Sequence, residues 1–209
     1  KAKIIYGTQD GFASGKKIDE IEKNFSNWPR SHGGFSSMRF SSLDIINKTN
    51  ISKLEIAWIY NSKDGKKGMQ ANPVVYDGLV YLPTPGNHIV CLDGKTGKEI
   101  WRYKAKKGYN VAKRGLTIWD DKKNKITKLF FTNDDQLISL NAKTGLPTND
   151  FGTNGIIKIG SSPIPPVIIK NQLIVATFRP SVEVYDIFSG KLYWKYFLRE
   201  KKEKIFSDF

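Results

Sequence analysis

Three polar residues stand at positions from which they could bind one ligand together. Gln70, Arg114 and Ser162 are separated by 44 and 48 residues, and each lies just before a short run of apolar residues. If these runs are strands of a repeating unit, the three side chains lie at the same end of neighbouring units. A guanidinium binds a carboxylate through two parallel hydrogen bonds, so this set would suit a planar ligand that carries several acidic groups.

Each of these residues has another role that the sequence leaves open. Arg114 could pair with a carboxylate of a neighbouring unit, Gln70 could cap the end of a strand, and Ser162 could stabilise a turn. The two histidines, His32 and His88, are isolated in the sequence, without a second histidine or a carboxylate at ligand spacing. A histidine metal site is therefore not expected.

The elements that must position these residues are predicted from short β-type runs separated by turns. The first group of runs contains an Asp-Gly turn at residues 77–78, between two apolar segments, which predicts a β-hairpin. Three groups of four runs, or nearly four, follow one another along the chain. The runs lie at 73–76, 79–82, 88–92 and 99–103, then at 116–119, 128–132 and 136–140 with a weak fourth, then at 166–169, 172–177, 182–185 and 192–197.

The three groups carry one repeated motif. Residues 93–101 and 186–194 share the pattern Asp-x-x-Thr/Ser-Gly-Lys-x-x-Trp, and residues 141–147 hold a related Asn-Ala-Lys-Thr-Gly turn between them. The motif glycines are 48 and 45 residues apart. Four short strands at a period in the forties are typical of propeller blades. We expect the Asp and Thr/Ser side chains to cap the turn and the glycine to take a positive φ.

The tryptophan four residues after the motif glycine is expected to pack flat between neighbouring blades. Trp101 and Trp194 occupy this position, and Trp58 precedes Trp101 by 43 residues. An indole buries a large apolar area, which suits a wedge between two sheets. The middle repeat has Asn149 where the tryptophan would fall, so one wedge is predicted to be missing.

The number of blades predicts an incomplete ring, since propellers need about four or more. We interpret the chain as the N-terminal part of a larger propeller, in which residues 54–60 form a strand of the closing blade. Residues 1–27 are polar and are interpreted as an arm. The incomplete β-propeller spans residues 28–209, with blades at about 73–106, 114–152 and 162–198.

Composition excludes several other classes of protein. Hydrophobic residues make up 39% of the 209 residues, and no stretch approaches the roughly 18 consecutive apolar residues of a membrane span. The net charge of +14 comes mostly from lysines spread along the chain. We interpret runs such as 122–128 as solvated loop charge, with an anionic partner surface as the alternative, and expect no nucleic-acid binding. The one cysteine, Cys91, excludes an internal disulfide and is expected to be a buried, inert thiol.

A set of short segments gives the chain a more specific pattern. They are Trp-Pro-Arg-Ser-His-Gly-Gly at 28–34, Arg-Phe-Ser-Ser-Leu at 39–43, Ile-Asn-Lys-Thr-Asn-Ile-Ser-Lys-Leu at 46–54, Ala-Trp at 57–58, Gln-Ala-Asn-Pro-Val-Val at 70–75, Arg-Gly-Leu at 114–116 with Trp119, and residues 137–145. These segments resemble the pyrroloquinoline-quinone (PQQ)-dependent dehydrogenases, whose eight-bladed propellers carry the same tryptophan repeat. The likeness covers about residues 28–197, and the part before the first blade is specific to this family.

The resemblance implies an all-β fold of the quinoprotein alcohol dehydrogenase type and an enzyme that oxidises an alcohol or an aldose sugar. It implies PQQ as cofactor with Ca²⁺ beside it, a periplasmic location with possible association with the membrane, and ubiquinone or cytochrome c as electron acceptor. By the family pattern, Gln70, Arg114 and Asn110 lie near the cofactor, and Ser162 completes the predicted rim. The catalytic base and the remaining metal ligand lie in later blades of the family, so no catalytic residue is expected in this chain and the chain alone should be inactive.

Two departures from the family pattern refine these expectations. Alcohol-oxidising members carry two adjacent cysteines shortly before the Arg-Gly pair, whereas this chain has Gly108-Tyr109, which favours the sugar-oxidising, glucose-type branch. The family places an acidic metal ligand after the second strand of the third blade, but residues 177–181 contain no carboxylate. The alternative function is a non-enzymatic scaffold propeller of the outer-membrane assembly type, which binds protein partners.

Overall fold

The fold is all-β, as predicted, and the described residues form three four-stranded antiparallel sheets. The computed structural model describes residues 27–33, 39, 41, 43–65, 68, 70–105, 111 and 114–198. Each sheet is one blade, and its strands pair in chain order. The first blade contains β1 (Val74–Tyr76), β2 (Leu79–Pro83), β3 (His88–Asp93) and β4 (Glu99–Lys104); the second contains β5 (Thr117–Asp121), β6 (Ile126–Asn133), β7 (Gln136–Asn141) and β8 (Ile156–Lys158); the third contains β9 (Val167–Ile169), β10 (Gln172–Thr177), β11 (Ser181–Asp186) and β12 (Leu192–Phe197).

The turns form as the repeated motif predicts. Asp77 and Gly78 both take positive φ, which is the geometry of a type I′ hairpin between β1 and β2. In the motif turn of the first blade, Asp93 Oδ1 accepts hydrogen bonds from both the amide and the hydroxyl of Thr96, each 2.7 Å long. Asp186 and Ser189 repeat these two bonds in the third blade. The short polar side chain therefore closes the turn that leads into the outermost strand.

Tryptophans join the blades by lying against the motif glycine of the next one. Trp58 Nε1 donates to the carbonyl of Gly94 at 3.1 Å, and a Cβ added at Gly97 would lie 2.5 Å from the indole. Trp101 repeats this arrangement on the second blade, where its Nε1 donates to Ala142 O at 3.0 Å and the indole covers Gly145. The predicted wedges are thus present at these two positions.

The junction between the second and third blades lacks the motif tryptophan, and other side chains fill its place, among them Trp119, which packs edge-to-face on Phe188 with ring centroids 5.3 Å apart. A Cβ added at Gly190 would meet Ile157 at 2.7 Å and Phe151 at 3.2 Å. Lys128 lies beside them with 1% of its side chain exposed, and its Nζ bonds Asp150 at 2.8 Å and two backbone carbonyls of the third blade at 3.4 Å. The prediction that the whole 122–128 run is solvated loop charge is wrong at Lys128, because these carbonyls and the carboxylate replace its water.

One predicted strand position differs from the structure. The fourth strand of the second blade is β8, beyond the boundary predicted at residue 152. After the motif turn the chain reaches Pro147, which has no amide hydrogen for a ladder and forms only a single bridge to Leu140. The chain pairs with β7 only after a further reversal, in which Gly152 and Gly155 take positive φ.

Residues 54–60 form no strand with any described residue, so their place in a closing blade stays a prediction. A short 3₁₀ helix, Ile51–Lys53, precedes them. Arg102 of β4 joins this part of the chain to the first blade. Its guanidinium bonds Asp64 at 2.7 Å, Glu99 at 2.8 Å and the Tyr60 hydroxyl at 2.9 Å. Residues 1–26 of the predicted arm lie outside the described residues.

The described residues place one further charged group inside the third blade. Glu183 on β11 is 1% exposed and bonds Lys195 Nζ at 2.6 Å, the Tyr185 hydroxyl at 2.5 Å and the Gly160 amide at 3.0 Å. Burial pushes the pKa of Glu183 upward, but these hydrogen bonds outweigh it and hold the pKa below its ordinary value of 4.5. The ionised carboxylate thus links β11 to β12 and to the loop before β9.

Two further observations complete the description. Cys91 is fully buried in β3, as predicted, and burial raises the pKa of its thiol to about 12. Among the described residues, no helix is long and apolar enough to cross a membrane.

Gly145→Ala tests the junction between the first and second blades. The new Cβ would collide with the Trp101 indole, so we expect a loss of about 2–4 kcal/mol from the clash together with the positive φ. Gly78→Ala is the matched control, because Gly78 also has a positive φ but nothing lies within 4 Å of the added Cβ. The thermal midpoint of the full-length gene product should fall further for Gly145→Ala than for Gly78→Ala. Equal shifts would contradict the role of the indole.

Glu183→Gln tests the buried carboxylate through its pH dependence. Since the pKa of Glu183 is lowered in the folded state, its ionisation stabilises the fold above about pH 4.5, and this stabilisation is lost as the pH falls through the folded-state value. We expect the variant to be less stable than the native protein by about 1–3 kcal/mol at pH 7 and the difference to shrink below pH 4.5. Thermal melts across pH would measure this, with Glu55→Gln, an exposed site, as control. A difference that is constant with pH would be inconsistent with a lowered pKa.

Candidate functional site

The innermost strands of the three blades, β1, β5 and β9, lie side by side. At the end where β5 and β9 begin, the Thr117 hydroxyl donates to the carbonyl of Pro166, the residue before β9, at 3.0 Å. The segments that lead into these strands therefore come together, as the spacing of Gln70, Arg114 and Ser162 predicts.

A segment from before the first blade crosses these strands. We call residues 27–33 the inner segment. Trp28 exchanges two backbone hydrogen bonds with Val75 of β1, at 2.6 and 2.9 Å, and Pro29 O accepts from the Ile118 amide of β5 at 2.9 Å. The Asn27 side chain accepts from the Asp77 amide at 2.9 Å. The inner segment is thus hydrogen-bonded to two blades at once.

Gly115 allows the inner segment to approach the loop that carries Arg114. The Ser31 hydroxyl donates to Arg114 O at 3.1 Å, and the side chain of Asn72 donates to Ser31 O at 3.1 Å. A Cβ at Gly115 would overlap the Ser31 hydroxyl, and the φ of +121° at Gly115 is one that L side chains rarely adopt. A glycine after Arg114 is therefore needed for this packing.

Two adjoining cavities open beside these loops. The first, the Arg30 cavity, has a volume of about 390 Å³ and is lined by Arg30, Ser31, His32, Gln70, Asn72, Arg114, Thr117 and residues 164–167. The second, the Ser162 cavity, has a volume of about 560 Å³ and is lined by Gln70, Arg114, Asp134 and residues 161–164 with Phe178. Both volumes are in the range of small-molecule sites, about 300–1,000 Å³. Gln70 and Arg114 line both cavities.

Comparison with known proteins places this geometry in a family. Residues 28–207 match the family described as the β-propeller domain of PQQ-type glucose/ethanol/alcohol dehydrogenases. The chain belongs to this family. It is 31% identical over 182 residues to quinohemoprotein alcohol dehydrogenase ADH IIB of Pseudomonas putida, an alignment that covers 80% of this chain and 26% of that protein.

Further relatives agree on the family and on the fold. Quinoprotein glucose dehydrogenase A of Acinetobacter calcoaceticus is 27% identical over 219 residues, with 81% of this chain and 27% of that protein covered. The crystal structure of quinohemoprotein alcohol dehydrogenase from Comamonas testosteroni superposes with a TM-score of 0.69 at 25% identity, over 89% of this chain and 29% of that one. The chain spans about a quarter of the length of these relatives.

The expectation that the chain lies nearer the glucose-oxidising branch is not supported. The alcohol dehydrogenase of P. putida is more similar to it than the glucose dehydrogenase is, at 31% against 27% identity. The expectation depended on the absence of a cysteine pair at Gly108-Tyr109, which lies outside the described residues. The missing cysteine pair shows only that one disulfide is absent. It indicates the branch of the family less strongly than sequence identity over 182 residues does.

The predicted cofactor residues of this family member have different surroundings. Gln70 and Arg114 share both cavities, and the guanidinium of Arg114 takes part in none of the ion pairs formed among the described residues. The alternative that Arg114 pairs with a neighbouring blade is therefore not seen. Asn110 lies outside the described residues, so its role near the cofactor stays a prediction.

Ser162 lines only one cavity, and its hydrogen bonds serve the loop. It is 2% exposed, and its amide donates to Asp134 O at 3.0 Å. Its hydroxyl lies 3.4 Å from both the amide and the carbonyl of Ile164. These contacts favour the turn role that the sequence left open, although contact with a ligand stays a prediction.

Sequence reasoning missed three residues of the Arg30 cavity. Arg30, His32 and Asn72 line it, and the Arg39 guanidinium donates to His32 Nε2 at 3.1 Å. The available signal was the Trp-Pro-Arg-Ser-His-Gly-Gly run at 28–34. This run lies against β1 and β5 because of backbone hydrogen bonds between residues that are far apart in the sequence. The spacing of side chains does not reveal such bonds.

The described residues do not fit a metal site. They contain no group of three or more His, Cys, Asp or Glu side chains that could hold an ion. In the loop from which the family pattern expects an acidic ligand, the Thr177 hydroxyl instead donates to Arg179 O at 2.6 Å. We assign no Ca²⁺ ligand among these residues.

Gly115→Ala should displace the inner segment from the site. The Cβ would push against the Ser31 hydroxyl, and this clash weakens the backbone bonds at Trp28 and Ile118. We expect amide hydrogen exchange in residues 28–33 and at Ile118 to become about tenfold faster in the full-length gene product, measured by mass spectrometry. Gly190→Ala, at a positive-φ glycine of the third blade whose added Cβ would meet Ile157 instead, should leave this exchange unchanged. Unaltered protection in Gly115→Ala would show that Ser31 does not depend on the glycine.

Proposed function

We propose that the full-length gene product is a PQQ-dependent dehydrogenase that oxidises an alcohol and passes the electrons to cytochrome c or to a membrane quinone such as ubiquinone. The observation that carries this proposal is Arg114, whose guanidinium forms no ion pair with any described residue and lines two adjoining cavities of a chain that belongs to the family. A periplasmic location is part of the same proposal.

The residues present are suited to PQQ, a planar quinone that carries several carboxylates. Arg114 offers a guanidinium for one carboxylate, and Gln70 offers an amide that can donate or accept. Ile164, Pro165 and Pro166 give the same cavity an apolar wall against which a flat ring could pack. When bound, PQQ supplies the two-electron acceptor for the carbinol carbon of the alcohol.

The residues of this chain bind and orient rather than transfer protons. A guanidinium offers hydrogen-bond donors and no acceptor, so Arg114 can stabilise anionic oxygens but is not suited to accept a proton. The backbone bonds of the inner segment fix one side of the Arg30 cavity. We assign the catalytic base, and any metal ligands, to parts of the full-length gene product other than these three blades.

Two points bear on the finer alternatives. An alcohol is proposed over an aldose because the P. putida relative, at 31% identity, is an alcohol dehydrogenase. The scaffold alternative requires neither a bound quinone nor an unpaired arginine at the cavity. It is kept as an outcome of the binding test.

Titration of the full-length gene product with PQQ, followed by fluorescence quenching and absorbance, tests the proposal. We expect saturable binding that Arg114→Gln weakens by about tenfold or more, because a charge-assisted bidentate hydrogen bond is lost. Lys143→Gln, in an exposed turn, removes the same charge and should bind as the native protein does. Each titration is run with and without Ca²⁺.

The opposite result would be equally informative. If the native protein showed no saturable binding in either condition, the propeller would have kept its fold without its cofactor. The quinoprotein proposal would then be abandoned, and protein partners would be sought by pulldown. If it bound PQQ but oxidised no alcohol while oxidising an aldose, only the proposed substrate class would be wrong.

A further inference from the structure

A second arginine lines the cavity that holds Arg114. Arg30 lies on the inner segment, and the described residues that line the Arg30 cavity include no Asp or Glu. None of the ion pairs among the described residues uses Arg30 or Arg114. The cavity therefore carries the positive charge of two guanidinium groups that no described acid neutralises, and such a site favours an anionic occupant.

The backbone around Arg30 is held in place before any ligand binds. Its carbonyl accepts from the Gly33 amide at 3.0 Å, and the preceding Pro29 carbonyl is bonded to β5. The next residue, Ser31, is hydrogen-bonded to Arg114 O and to Asn72. A direct bond thus links the two loops that present the arginines, so their spacing is preorganised, and preorganisation lowers the entropic cost of binding.

We propose that Arg30 binds a second acidic group of the same ligand whose first acidic group Arg114 binds. This inference rests on the proposed function and adds Arg30 to the proposed binding site. The two arginines then bind one planar ligand that carries several carboxylates. A ligand with a single acidic group would neutralise only one of the two guanidinium groups. Arg30 thus makes the site selective for a ligand with at least two acidic groups.

Three other charged residues do not meet the same conditions. The Arg39 side chain is bonded to His32, and it is not among the residues that line either cavity. Arg102 is fully engaged by Asp64, Glu99 and Tyr60 in the first blade. Asp134 lines only the Ser162 cavity, so it does not oppose an anion in the Arg30 cavity.

The test is a double-variant cycle in the full-length gene product with PQQ as the probe. Arg30→Gln, Arg114→Gln and the double variant are titrated beside the native protein, with Lys143→Gln as the charge control. Arg30→Gln should raise Kd by about tenfold or more, and the two single effects should multiply in the double variant because each residue holds a different group. For a PQQ analogue with one carboxylate esterified, the difference in Kd between the native protein and Arg30→Gln should be smaller than it is for PQQ.

A second measurement needs no variant and covers the case in which Arg30→Gln fails to fold. An arginine-selective dicarbonyl reagent is applied to the native protein with and without PQQ, and the labelled residues are identified by mass spectrometry. PQQ should protect Arg30 and Arg114 and leave Arg179, which borders neither cavity, unprotected.

The outcomes separate this inference from the proposed function. If Arg114→Gln weakens PQQ binding while Arg30→Gln binds within twofold of the native protein, or if PQQ protects Arg114 alone, Arg30 is not a ligand residue and the proposed function stands. If the native protein does not bind PQQ at all, both proposals are lost. A double variant no weaker than either single variant would mean that the arginines share one acidic group.

Discussion

The indole of Trp101 lies on Gly145 of the next blade and donates a hydrogen bond to the carbonyl of Ala142. This contact sets how closely the first two sheets approach, because the glycine offers no Cβ and the indole is rigid. Trp58 makes the same contact with the first blade. The position of the innermost strands follows from it, since each blade is one sheet, and a sheet held at its outer turn has its inner strand fixed as well. The cavities beside Arg114 exist because these inner strands start at a common end.

The third blade is joined differently, and the difference has a physical cost. Where the second blade has Asn149 in place of the motif tryptophan, Phe151 and Ile157 pack on Gly190, and the buried ammonium of Lys128 spans the junction. A buried cation must replace its water with polar partners, and Asp150 and two carbonyls of the third blade provide them. The junction therefore combines apolar packing, in which Phe151 and Ile187 belong to one buried cluster, with directional polar bonds to a buried cation.

A feature of this fold could be predicted from the sequence when the residues that determine it lie close together in the chain or recur in a repeat. The turns were predictable because Asp93 and Thr96 act within four residues, and the blade count was predictable because the motif repeats. The burial of Lys128 and the position of β8 were not, since both depend on a neighbouring strand or on a proline that interrupts a ladder. The spacing of Gln70 and Arg114 predicted that they lie together, and both residues line the same two cavities. The spacing did not indicate Arg30.

The inner segment explains why that last residue could not be found from spacing. Trp28 and Pro29 use their backbone groups to bridge β1 and β5, so the segment has a structural role that any sequence with the right backbone could fill. Its side chains are not needed for that bridge, and this leaves position 30 open to chemistry. An arginine there, without an acidic partner among the described residues, contributes nothing evident to stability and adds charge to a cavity that already contains Arg114. Binding of an anion accounts for it, since the fold itself gains nothing visible from a second unpaired guanidinium.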